Sequence, residues 1–470
     1  MRILRLVYEW PEPWDGLTPG PYELTKAQQR LGHDIVVFCG GGFRELGTIE
    51  EDEGRLYQAH QNEPSRVTSV YKRGHSGARS SDDDAIESSF EKTRESFGSL
   101  EVFRFPRALR KLSLFLTTAP CVLLGYLWLK LTGQGPDIVH GHGHITACFN
   151  IYKVLFGWLD KTPYILHLHI TAAGREARLM GPARGKTSGV SADPTPEVGE
   201  SGRPSPEKNL DFWTRYWEWP IHKFSDWLGV RVADKVICVS SRVREEAVQY
   251  YGADTEKLEV VENGVNVAVF TPPSGDFAAG EAPGASFPQP QGLGNAAKSI
   301  LYVGALQPRK NVHLLIDALA HLPQEYYLTI VGKGDKGYEE SLRDMVKELN
   351  LEERVAFKGY IEYPKLPEIY QIASVFVLPS SYEGLPKVVL EALASGVPVL
   401  ASGFEIEEKI KGLEFLESLE PGLISDKVQE IVAKGQKVAV EEIQKNYSWD
   451  AQAAQIEKIY QSLGVSSSKV

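Results

Sequence analysis

Short apolar runs alternate with longer amphipathic stretches along most of the chain. "RILRLVY" (2–8) and "DIVVF" (34–38) have the near-continuous apolar character of strands buried on both faces. Between them "PYELTKAQQRLGH" has helical spacing and stops at Gly32, so the chain opens on a strand–helix–strand unit. Further strands are expected at 137–140, 164–168 and 235–239, separated by helical segments that include 145–158 and a Trp-rich stretch over 210–232. The second half repeats the alternation, with strands at 299–303, 326–331, 354–357, 374–378 and 397–400. Helices are predicted at 311–321, 336–349, 364–372 and 386–395, and "YSWDAQAAQIEKIYQSL" (447–463) is an amphipathic helix. Strands alternating with helices predict parallel sheets covered on both faces.

Three stretches break the pattern. Residues 72–93 are rich in Ser, Asp, Gly and Arg; 182–208 have almost no large apolar group; 271–297 are rich in Pro, Gly and Ala. The first two predict surface insertions and the third a linker. The expected organisation is α/β: a domain over 1–268, a linker over 269–297 and a second domain over 298–446. Each domain is Rossmann-like and doubly wound, and the two face each other across a cleft. Ligands in such sheets bind beyond the carboxyl ends of the strands.

Length and charge narrow the picture. A chain of 470 residues with 42% hydrophobic content builds more than one core. A net charge of −11 argues against a polyanionic partner, so no nucleic acid is expected. Cys39, Cys121, Cys148 and Cys238 form no C-x-x-C pair and read as free thiols in a reducing compartment. The "MRILRLVY" start reads as a strand, not a signal peptide. Residues 112–129 hold no charge and follow Arg104, Arg107, Arg110 and Lys111. Strands on both sides disfavour a membrane span. Two readings stay open: a helix buried against the sheet, or contact through 104–129 with an anionic membrane.

The richest string is "PSSYEGLPKVVLEALASGVPVL" (379–400). A strand runs into a loop carrying Glu383. A helix follows, with Pro386 placed as its first residue and Glu391 further along, and Gly396 suits its end. The N–H groups of Gly384, Leu385, Lys387 and Val388 stand at that helix start, a natural anion site. With its surroundings this string resembles glycosyltransferase family 4, the retaining GT-B enzymes, whose E-x7-E pattern matches Glu383 and Glu391. "ILYVGALQPRKNVHLLIDAL", "LTIVGKGD", "RVAFKGY", "RVADKVICVS", "VVENGVNVAVF", "DIVHGHG" and "YILHLHI" resemble other segments of that family. "YSWDAQAAQIEKIY" resembles its closing helix, which makes 447–470 a segment that crosses back to the first domain.

The resemblance implies a metal-independent enzyme with no cofactor. It would move a hexose-type sugar from a UDP- or GDP-sugar to a glycan or lipid-linked acceptor, in polysaccharide or glycolipid biosynthesis. It also implies a cytoplasmic location, with possible contact at the inner face of the plasma membrane. Glu383, His169 and Lys310 are the implied catalytic residues. Gly16, Arg309, Lys310, Gly332, Glu383, Gly384, Leu385, Lys387, Val388 and Glu391 are the implied donor-binding residues, with Glu391 on the ribose hydroxyls. Lys310 supplies positive charge to a leaving diphosphate. The sequence departs from the family in four places: Ala305 stands where an arginine is usual, Asp15 replaces one of two glycines, Pro386 removes an N–H, and "GFEIEEKIKGLEF" replaces a glycine loop. Arg309, beside Lys310, is the candidate replacement cation.

Three competing readings accompany this one: a non-catalytic nucleotide-sugar binder, favoured by Ala305, a GT-B epimerase or phosphorylase, and a metal-dependent hydrolase resting on the histidines alone. His140, His142 and His144 alternate in "DIVHGHGHITA", which by itself suggests a metal site. The expected helix start near His144 takes that residue off the shared face, and the stretch reads as a strand end with no metal.

Overall fold

The computed structural model describes residues 1–7, 20–40, 93–97, 100–105, 114–180, 219–273, 297–334 and 336–465. The expected insertions at 72–93 (up to 92) and 182–208, and most of the linker, lie outside them. The chain divides into two compact units. One comprises Met1–Glu12, Gln29–Tyr164 and Val465–Val470; the other comprises Pro13–Gln28 and Ile165–Gly464.

In the first unit the strands are β1 (Arg2–Val7), β2 (Asp34–Gly40), β3 (Thr93–Phe97), β4 (Leu100–Phe105) and β5 (Ile138–His142), in the order β3-β4-β2-β1-β5. All pairs are parallel except the β3–β4 edge. β3 and β4 have no counterpart in the sequence reading, because "TRESF" and "LEVFRF" intersperse charges where the other strands are apolar. The charge-free run forms the helix Leu114–Leu131. Its Val122, Tyr126 and Leu129 are buried at helical spacing, and Gly125 lies so close to the Phe38 ring that a Cβ would stand 2.7 Å from it. Burying such side chains stabilises by roughly 1.5–3 kcal/mol each. One face of this helix thus packs in the core, while Leu131 is 87% exposed. Among the described residues no helix is long and apolar enough to cross a membrane.

At the end of β5 the His140 and His142 rings stack 4.8 Å apart, and Arg5 Nη1 lies 3.1 Å from His142 Nε2. Gly143 takes a φ of +62° and a 3-10 turn covers Gly143–Thr146, so His144 leaves the strand face as expected.

The second unit holds β6 (Tyr164–Leu168, all but its first residue), β7 (Lys235–Cys238) and β8 (Leu258–Val260), successive and parallel. It also holds a six-stranded parallel sheet of β9 (Lys298–Val303), β10 (Tyr326–Val331), β11 (Val355–Gly359), β12 (Val375–Pro379), β13 (Val399–Ser402) and β14 (Leu413–Phe415). Their order is β11-β10-β9-β12-β13-β14, which is the 3-2-1-4-5-6 winding of a dinucleotide-type sheet. The strand order reverses between β9 and β12. Helices Val312–His321, Leu366–Gln371, Lys387–Ala394 and Pro421–Lys434 pack into one apolar core with this sheet.

Candidate active site

A doubly wound sheet binds ligands at its switch point, outside the carboxyl ends of the two strands where the winding reverses. Here those strands are β9 and β12. The segment after β9 carries Arg309 and Lys310, and the segment after β12 carries Glu383.

After β9 the backbone runs beside the loop that follows β10. Gly332 has a φ of +140°, and a Cβ on it would stand 1.9 Å from the Gly304 carbonyl oxygen. A Cβ on Gly334 would meet the Leu306 carbonyl at the same distance. Both glycines are therefore required by close backbone approach. A 3-10 turn over Pro308–Lys310 then leads to Asn311, which sits in the left-handed region at φ 52°. Its Nδ2 donates to the Pro379 carbonyl (2.9 Å) and to Ser381 Oγ (2.8 Å), tying the lysine turn to the loop after β12.

That loop is held at almost every residue. The Ser381 N–H donates to the Arg309 carbonyl (2.9 Å), and Arg309 Nη1 donates to the Tyr382 carbonyl (3.0 Å). The Glu383 N–H donates to the Gly403 carbonyl (2.7 Å), and Asn263 Nδ2 donates to the Leu385 carbonyl (2.7 Å). Glu383 Oε1 accepts from Lys310 Nζ and lies 3.3 Å from Arg309 Nη1. Burial works to raise the Glu383 carboxyl, but the Lys310 and Arg309 charges prevail and hold it below the ordinary carboxylate value. Burial pushes the Lys310 ammonium below its usual value, opposed by Glu383. The site is an anion between two cations, all three largely withdrawn from water.

The loop also packs directly on the strand end that carries His169. A Cβ on Gly384 would stand 2.1 Å from the His169 carbonyl oxygen and 3.0 Å from Val239 Cγ2. His169 stacks on His167 at 4.6 Å. Burial, with Lys387 nearby, lowers the His169 imidazole to about 3 despite a hydrogen bond with Asn263. It is therefore neutral at physiological pH.

The helix begins at Lys387, one residue later than expected. Pro386 is its cap, because its ψ of 120° is extended rather than helical. Lys387 and Val388 form the half-buried first turn, where backbone N–H groups lack intrahelical partners. Gly396, with φ +79°, follows the helix end. Glu391 is only 1% exposed, and its Oε2 accepts from the Tyr370 hydroxyl at 3.0 Å.

Arg309, Lys310, Glu383, Gly384, Leu385 and His169 thus come together, and Gly332 adjoins the loop after β9. Glu391 lies deeper, against Tyr370. Gly16 lies outside the described residues. Sequence reasoning missed Asn263 and Asn311, which hold the loop, and Arg242, Glu246 and Tyr382 behind it. Asn311, which follows Lys310, has the residue type that tolerates its left-handed backbone, but the partners of both Asn side chains lie far away in sequence and left no signal there.

Comparison with known proteins bears on the family and the fold. The profile described as Glycosyltransferase Family 4 matches residues 14–269, and that of glycosyl transferases group 1 matches 286–414. A glycosyltransferase of Methanocaldococcus jannaschii is 26% identical over 246 residues, covering 50% of this chain and 62% of its own. The D-inositol 3-phosphate glycosyltransferase of Xylanimonas cellulosilytica is 31% identical over 176 residues, covering 37% of this chain and 41% of its own. The chain spans about half the length of the curated relatives it matches. Among solved structures, sucrose-phosphate synthase of Thermosynechococcus elongatus superposes with a TM-score of 0.63 at 17% identity, covering 98% of this chain and 99% of its own. HepE of Anabaena, solved with UDP-glucose, gives 0.60 at 17% identity, covering 98% of this chain and all of its own (100%). These likenesses identify the fold as GT-B, and the chain belongs to glycosyltransferase family 4.

Proposed function

We propose that the chain is a retaining, metal-independent glycosyltransferase that moves a hexose-type sugar from a UDP- or GDP-sugar to a glycan or lipid-linked acceptor. The observation that carries this reading is the convergence of Arg309 and Lys310 on Glu383 at the switch point. When the bond between the anomeric carbon and the diphosphate breaks, negative charge grows on the leaving oxygen and positive charge on the sugar ring. Two fixed cations beside an acid match that separation. Arg309 takes the place left by Ala305, with the fork suited to phosphate. The acceptor oxygen attacks from the departing face, and the diphosphate oxygen takes its proton. His169, neutral and packed on Gly384, lines the transferred sugar. Glu391 would accept hydrogen bonds from the ribose hydroxyls on its remaining acceptor sites, with the Tyr370 hydroxyl holding its Oε2. HepE's complex with UDP-glucose makes UDP-sugars the first donors to try.

The proposal includes a cytoplasmic protein touching an anionic membrane through 104–129, of which residues 106–113, with Arg107, Arg110 and Lys111, lie outside the described residues. Its support is the exposed apolar surface on helix Ala147–Phe156 and just after it, where Trp158 is 73% and Leu159 69% exposed, together with Leu124 and Leu131 on the neighbouring helix. Liposome flotation with and without anionic lipid tests it, and active enzyme that floats with neither would exclude it.

The second reading is a nucleotide-sugar binder without turnover, favoured by Ala305. Calorimetric titration with a nucleotide panel, followed by donor hydrolysis assays, separates the two. Binding without hydrolysis or transfer, in wild type and Glu383→Ala alike, selects the binder.

A further inference from the structure

Behind the loop that bears Glu383 lies a carboxylate with no place in the roles above. Glu246, on the helix Ser241–Tyr251, is 7% exposed. Its Oε2 accepts hydrogen bonds from both the Thr171 hydroxyl and the Tyr382 hydroxyl, the latter at 2.7 Å. Its Oε1 pairs with Arg242 Nε at 3.4 Å. Arg242 lies over the Tyr382 ring, 4.9 Å from its centroid, and donates to the Gly403 carbonyl at 2.9 Å. That same carbonyl receives the Glu383 N–H.

The two hydroxyls come from segments far apart in sequence. Thr171 lies two residues after His169, and Tyr382 directly precedes Glu383. One carboxylate oxygen therefore ties together the strand end carrying the histidine and the loop carrying the acid. The neighbourhood is built to admit it. Gly174 sits inside the helix Ala172–Met180, where glycine is unfavourable, and a Cβ there would stand 2.1 Å from Glu246 Oε2. Capping that helix needs only Thr171, whose Oγ1 already accepts from the Gly174 N–H at 3.0 Å. Helix capping alone thus explains neither the buried acid nor the glycine that makes room for it.

We propose that Glu246 is a positioning residue that holds His169 and Glu383 in fixed relation to each other. The idea rests on the roles given to those two residues in the proposed function. Removing the carboxylate frees both segments at once. Misplacing a reacting group by about 1 Å can cost on the order of a hundredfold in rate.

The test compares Glu246→Ala, Glu246→Gln and Tyr382→Phe with wild type by amide hydrogen exchange and by steady-state kinetics on the nucleotide sugar. Glu246→Ala is expected to speed exchange in peptides covering 166–172 and 380–386, neither of which contains residue 246. Tyr382→Phe is expected to do so in 166–172 as well as in its own segment. The kcat should fall about tenfold to a hundredfold while the donor KM stays within about threefold. Glu246→Gln, which keeps one acceptor oxygen, should recover most of both. Faster exchange confined to 241–251, or KM rising with kcat unchanged, overturns the proposal. If Glu246→Ala does not fold, Tyr382→Phe, which deletes a single hydroxyl, decides alone. A wild type that consumes no nucleotide sugar defeats the proposed function, while the exchange coupling still decides on Glu246.

Discussion

Gly384→Ala is the smallest change that reaches the centre of the site. The added methyl would stand 2.1 Å from the His169 carbonyl oxygen, where about 3.3 Å is the ordinary closest approach of carbon to oxygen. Roughly 1 Å must be found by moving the loop or the strand end. The loop is pinned through the Tyr382 carbonyl (3.0 Å), the Glu383 N–H (2.7 Å) and the Leu385 carbonyl (2.7 Å), so moving it breaks at least one of these bonds. Each such bond contributes about 0.5–1.5 kcal/mol, and overpacking a tight contact costs about 1–3 kcal/mol. A loss of ~2–3 kcal/mol is expected, seen as a fall of several degrees in melting temperature. Donor turnover should drop on the order of a hundredfold, because Glu383 moves with the loop. Scanning fluorimetry and release of the nucleoside diphosphate measure the two effects. Unchanged melting with unchanged turnover would refute the reasoning, since the contact could then not be as close as described.

Lys310→Met should reduce turnover by roughly a hundredfold to a thousandfold by removing a cation from the leaving group, and Arg309→Lys by about tenfold through loss of the fork; similar kinetics in all three proteins would deny both cations a role. Glu383→Gln leaves the buried Lys310 and the half-buried Arg309 without their anion and should destabilise by about 3 kcal/mol, read by chemical denaturation. His169 is lowered to about 3 when folded, so the unfolded chain binds the extra proton and stability is lost as pH falls below about 6.5, levelling off near 3. From pH 7 to 5 this amounts to ~2 kcal/mol, and His169→Gln should lose less over that range. Glu262 has the opposite sign: burial, with Glu408 and Glu407 beside it, raises it to about 7 against a hydrogen bond from Tyr447. Its contribution is present below about pH 4.5 and lost as pH rises towards 7, so Glu262→Gln should gain on the order of 1 kcal/mol at pH 8 and nothing at pH 4, measured by denaturation at both pH values.

Periodicity made most of the second unit legible. β10 spans Tyr326–Val331, the same residues the apolar run 326–331 indicates, and β9 and β12 differ from expectation by a residue at one or both ends. Strands buried on both faces leave an unbroken apolar signature. β3, β4, β8 and β14 escaped because they lie at or next to a sheet edge and carry charges. For the site, "RK" and "EGLP" were readable because the strings around them resemble segments of the family. Arg242 and Glu246 were not, since an i,i+4 pair on a helix has the same sequence signature whether it faces water or is buried. Tyr382 reads as a loop aromatic until its hydroxyl is seen on Glu246. Glu391 was readable as a buried acid between apolar residues, but its Tyr370 partner depends on how the helices pack.

The central claim is that Arg309, Lys310 and Glu383 form a nucleotide-sugar site at the switch point between β9 and β12. Its most direct test is a panel of UDP- and GDP-sugars, offered with membrane extract in the presence of chelator and followed by mass spectrometry. The account predicts that one donor is consumed with release of its nucleoside diphosphate, and that Lys310→Met abolishes this. Consumption that Lys310→Met leaves intact, or that chelator removes and a divalent metal restores, would contradict it.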